Sequence, residues 1–72
     1  MNTEQIQAEI DKLQEQMKKE TIVYKTAVKE GVSFETAKKL LSKTQRTAQK
    51  IIDKAKEYDM ALAKEIEKIK KN

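Results

Sequence analysis

The chain has 72 residues, with 16 Lys+Arg against 12 Asp+Glu, a formal net charge of +4, one Gly, and no Cys, His, Pro or Trp. Disulfides, thiolate metal sites and every mechanism that needs an imidazole are excluded, the Ser-His-Asp, Cys-His and HExxH arrangements among them. No uncharged stretch exceeds five residues, so neither a membrane span nor a signal-peptide core is expected. The expectation is a single domain over 1–72, cytoplasmic, non-enzymatic, with no cofactor, no membrane partner and no small-molecule substrate.

The first element in chain order is a helix over about 3–30. Asn2 followed by Gln5 is a capping pair. Apolar or seam residues then recur at alternating spacings of three and four through Ile6, Ile10, Leu13, Met17, Glu20, Tyr24 and Ala27. That is the seven-residue repeat of a packed helix. Gly31 is suited to the left-handed conformation that ends a helix, and Ser33 is a good N-cap for the next. The second helix is expected over about 34–70, with a seam of Ala37, Leu41, Thr44, Ala48, Ile51, Ala55, Tyr58, Leu62, Glu65 and Ile69.

A loop this short joins antiparallel helices. Folding back at 31–33 sets Ile6 against Tyr58, Ile10 against Ala55, Leu13 against Ile51, Met17 against Ala48 and Tyr24 against Leu41. Large residues meet small ones at Ile10 and Met17, which favours close approach. Glu20 opposite Thr44 makes a polar layer that sets the register. The predicted fold is therefore all-α, an antiparallel two-helix hairpin. Its second helix outruns the first, and its apolar stripe is wider than one partner helix needs. Dimerisation into a four-helix bundle is expected from that surplus, with Phe34, Ile52, Leu62, Ile66 and Ile69 as the self-association or partner-binding edge.

Charge is uneven along the chain. Residues 38–56 carry Lys38, Lys39, Lys43, Arg46, Lys50, Lys54 and Lys56 against Asp53 alone. Lys39, Lys43, Arg46, Lys50 and Lys54 fall within an arc of about 80° on a helix. Such a stripe is suited to a phosphate backbone. Two function classes follow: a homodimeric regulator or adaptor that packs helices on a protein partner, and a dimeric nucleic-acid-binding regulator that uses this stripe. The carboxylates Glu9, Asp11, Glu15, Glu57 and Asp59 lie outside the seam, so no di-metal site is expected.

Residues 27–41 read Ala-Val-Lys-Glu-Gly-Val-Ser-Phe-Glu-Thr-Ala-Lys-Lys-Leu-Leu. The segment resembles the turn region of helix-turn-helix regulators at Ala27, Gly31-Val32-Ser33, Thr36, Ala37 and Leu40. The resemblance implies a recognition helix from Ser33 that aims Lys38 and Lys39 at DNA. Glu30 stands where that family has a large apolar residue. The Ala-x-x-x-Gly-Val-Ser turn is also similar to the helical-hairpin dimerisation segment of bacillar biofilm regulators, which implies pairing with a second copy. Ile10, Leu13 and Met17, with Gly31 and Ser42, resemble the small aspartyl-phosphate phosphatases. However, Ser42 is followed by Lys43-Thr44-Gln45-Arg46, without the essential acid of that family.

Overall fold

The computed structural model describes residues 2–71, which form two helices, α1 (Thr3–Glu30) and α2 (Phe34–Lys71). At α1's start, the Asn2 side chain accepts from the Gln5 backbone N–H at 2.9 Å, and the Gln5 side chain accepts from the Asn2 N–H at 3.3 Å. These reciprocal bonds satisfy donors that the first turn leaves free. At its end Gly31 sits at φ 83°, ψ 32°. Its N–H donates to the Val28 carbonyl at 3.1 Å, and the Val32 N–H reaches back to Ala27 at 3.2 Å. This is a Schellman stop, which needs a left-handed residue and so favours glycine. Two residues later the Ser33 hydroxyl accepts from the Thr36 N–H at 3.3 Å and starts α2.

The two helices lie side by side and antiparallel in a rod 60 × 16 × 13 Å. Thr3 meets Glu65 at the open end, and Glu20 meets Thr47 midway. A helix-turn-helix module crosses its helices at ~90–120°, so the arrangement implied by that resemblance is not adopted. The radius of gyration is 17.2 Å, against about 11 Å for a compact domain of this length. A rod this thin encloses little. Among the described residues, Ile6 and Ile10 are the buried apolar ones and Thr47 is the buried polar one.

On α1 the covered face is the one the spacing predicts: Thr3, Ile6, Ile10, Leu13, Met17, Glu20, Tyr24 and Ala27 are buried or half-buried. On α2 half of the predicted seam is displaced. Ala37, Thr44, Ile51, Tyr58 and Glu65 stay in place, and Ala48 is half-buried at the seam's edge, but the alternate positions are Leu40, Thr47, Lys54 and Ala61, while Leu41, Ala55 and Leu62 are exposed. The helix has turned by about half a residue step, ~50°. The polar layer moves with it: Glu20 bonds Thr47, while the Thr44 hydroxyl turns to its own Leu40 carbonyl at 3.3 Å. The physical reason is Glu20. Its carboxylate must be partnered in a half-buried seam, and the Thr47 hydroxyl reaches it at 2.6 Å.

Candidate functional site

The rotation of α2 determines which side chains stay uncovered. With α1 occupying the Ala37–Leu40–Thr44–Thr47 seam, a second seam runs beside it. It consists of Phe34, Leu41, the half-buried Ala48, Ala55, Leu62 and Ile69 at a seven-residue spacing, with Lys38, Gln45, Ile52, Asp59 and Ile66 interleaved. Phe34 is 80% exposed and Ile69 75%, and Leu41, Ile52, Leu62 and Ile66 are all exposed. On a 3.5-residue wheel the centres of the two seams are about 100° apart. The stripe therefore contains all five edge residues that the sequence marks out, Phe34, Ile52, Leu62, Ile66 and Ile69, and adds Leu41. The repeat places Leu41 in the seam, but it is exposed and Leu40 is half-buried instead; nothing in the spacing distinguishes the two. α1 contributes exposed Ile22, Val23 and Val28, clustered toward its turn end.

The flank of α2 on the other side of the occupied seam is basic. Lys39, Lys43, Arg46 and Lys50 are exposed, and none forms an ion pair among the described residues. The stripe lies about 100° around α2 from the α1-facing seam. Its fifth member is drawn away. Lys54 Nζ lies 2.6 Å from Glu9 Oε2 on α1 and 3.2 Å from Glu57 Oε2. The Glu9 oxygen is buried and has no hydrogen-bond partner beyond this ion contact. Lys54 therefore joins the helices instead of extending the basic surface.

The Glu9 carboxylate foremost, and Glu57 after it, hold the Lys54 ammonium above the ordinary lysine value. A raised lysine pKa gives stability that is complete below about pH 10.4 and is lost as pH rises through the raised value. Lys54→Met should therefore melt below the parent at about pH 8, and the gap should close as the pH rises through the raised value. Thermal melts of both proteins across that range test this; a gap that persists at the alkaline end would show that Lys54 acts through its packing alone.

Polar contacts elsewhere also join the helices. The Thr3 hydroxyl and N–H both donate to Glu65 at 3.1–3.4 Å. Gln16 donates to Thr47 at 3.5 Å and to Glu20 at 3.4 Å. Among the described residues, no three acidic side chains converge as metal ligands, and no helix is long and apolar enough to cross a membrane. No protein-family model matches the chain, and neither a curated protein nor a solved structure shows significant similarity to it.

Proposed function

We propose that this chain is a small non-enzymatic adaptor or regulator, a self-associating helical hairpin that acts by packing the apolar stripe of α2 against further helices. The observation that carries this reading is the second seam. A helix inside a four-helix bundle touches two neighbours at roughly a right angle, and α2 has two seams about 100° apart with only one of them filled. The thin core supports the same reading. Small chains seldom hold together on so few buried side chains, and a second layer of helices would bury Leu41, Ile52, Leu62 and Ile66. Covering the stripe with a second copy gives a homodimer whose other faces remain open to a protein partner.

Sedimentation equilibrium at micromolar concentration tests this. The parent should have the mass of two chains at low and moderate salt. Leu41→Lys/Leu62→Lys should have the mass of one, with its circular dichroism measured alongside to establish that helix remains. A monomeric parent would overturn self-association.

A second reading, a dimeric nucleic-acid-binding regulator, is favoured by one observation. Lys39, Lys43, Arg46 and Lys50 are exposed and unpaired among the described residues, and they lie about 150° around α2 from the apolar stripe. A dimer formed through that stripe leaves them facing solvent. A pool of mixed DNA and RNA added to the same cells separates the two readings. Binding that falls steeply with salt and is lost in Lys43→Glu/Arg46→Glu/Lys50→Glu supports this one. A mass indifferent to nucleic acid leaves the helix-packing reading alone.

A further inference from the structure

The α2 stripe is close to palindromic. Read from either end it runs large, large, small, small, large, large: Phe34, Leu41, Ala48, Ala55, Leu62, Ile69. We infer that its occupant is a second copy of the chain, laid antiparallel along α2 about a two-fold axis at Ile52. The inference rests on the self-association proposed above and adds its direction, its register and the residues that select them.

In that register Phe34 faces the partner's Ile69, Leu41 faces the partner's Leu62, and Ala48 faces the partner's Ala55. Ile52 meets its own copy on the axis. The two alanine layers sit beside the axis, where small side chains bring the backbones closest. A parallel pairing would set Lys38 against Lys38 and Asp59 against Asp59 within the stripe. The antiparallel one sets Asp59 beside the partner's Gln45 and Lys38 beside the partner's Ile66, with no like charges opposed, and it opposes the helix dipoles.

Charges outside the stripe agree with the same register. On the outer flank of α2, Glu35 falls opposite the partner's Lys70. On the other flank the geometry is fixed by α1. With its seam about 100° from the stripe, a two-fold axis perpendicular to the helices brings the two α1 helices side by side and antiparallel. The intrachain contacts Thr3–Glu65, Glu9–Lys54 and Glu20–Thr47 set the level of α1 against α2. Carrying that level across the axis places Glu4 opposite the partner's Lys25 and Asp11 opposite the partner's Lys18. The α1 flank that faces the other copy carries Glu4, Asp11, Lys18 and Lys25 as its charged residues, acidic in the first half and basic in the second. Such a flank is self-complementary only when antiparallel. Exposed ion pairs add little affinity, but juxtaposed like charges exclude wrong pairings. The stripe therefore drives association and the α1 flank selects its direction.

The absence of cysteine from the chain makes single-cysteine variants clean reporters. Ile52→Cys, oxidised in a glutathione buffer, should form a disulfide dimer, which reports association at the stripe in either direction. Mixing Ala48→Cys with Ala55→Cys should give the mixed disulfide in large excess over the two like pairs. Lys18→Glu/Lys25→Glu should weaken association about tenfold or more, since it turns four opposite-charge pairs per dimer into like-charge pairs. Adding Glu4→Lys/Asp11→Lys to that variant should restore it. If Ile52→Cys dimerises while the 48 and 55 variants each couple to their own kind, the antiparallel register is overturned and self-association stands. If the parent is monomeric and Ile52→Cys gives no dimer, self-association itself fails.

Discussion

Replacing Ile6 and Ile10 together by alanine should unfold the hairpin at room temperature. Among the described residues they are the two buried apolar side chains, Ile6 at 3% exposure and Ile10 at 8%. Truncating a buried isoleucine to alanine costs about 2–5 kcal/mol, part lost transfer energy and part the cavity left behind. A chain of 72 residues has a total stability of roughly 4–11 kcal/mol. Two such losses in one seam consume most or all of it. Each single variant should keep its helical circular dichroism but lower the urea midpoint. The double variant should lack a folded baseline. The single changes should also weaken any self-association, because a hairpin that opens no longer holds α2's second seam at a fixed angle to the first. A cost below about 0.5 kcal/mol for each isoleucine, the level of an ordinary surface change, would mean that the α1–α2 seam is not what holds the chain together.

The elements themselves were legible because local chemistry dictates them. Asn2 and Gln5, Gly31, and Ser33 with Thr36 all form the capping bonds that their residue types and spacing imply. The α1 face was legible because Ile6, Ile10, Leu13 and Met17 give one apolar stripe with no rival on that helix. α2 has two stripes that share Ala37, Thr44, Ile51 and Tyr58, and hydrophobicity alone ranks Leu41, Ala48, Ala55 and Leu62 above Leu40, Thr47, Lys54 and Ala61. The polar members win for reasons outside α2. The Glu20 carboxylate takes the Thr47 hydroxyl and Glu9 takes the Lys54 ammonium, two contacts from α1 that hold the same rotation of α2. Spacing within one helix carries no information about which buried acid on the other must be answered. The same spacing places Leu41, which is exposed, in the seam. It also counts Lys54 with the free basic stripe, although an exposed lysine and an interhelical one look alike in sequence.

Thr47→Val should destabilise the hairpin by about 1–2 kcal/mol, while Glu20→Leu/Thr47→Val should stabilise it by about 1–3 kcal/mol. Thr47 is 2% exposed, and its hydroxyl donates to Glu20 Oε1 at 2.6 Å and accepts from Gln16 at 3.5 Å. Valine matches threonine in shape, so Thr47→Val removes the donor and little else. The Glu20 carboxylate is left half-buried with only Gln16, at 3.4 Å. The reverse deletion differs. In Glu20→Leu the Thr47 hydroxyl can fall back on the Lys43 carbonyl of its own helix, 3.3 Å away, and the seam gains an aliphatic side chain. The expected order of urea midpoints is Thr47→Val below the parent, Glu20→Leu above it and the double variant at or above Glu20→Leu, all read at one protein concentration. The cost of the double change falls on uniqueness. With Glu20 and Thr47 gone, α2 can turn back toward the more apolar seam of Leu41, Ala48, Ala55 and Leu62, which burial alone favours. That would cover the stripe proposed for self-association. The double variant should therefore be more stable as a hairpin yet weaker as a dimer, a combination that a polar layer acting only on stability would not produce. Equal or tighter association in the double variant would show that α2's rotation is held by contacts other than this one.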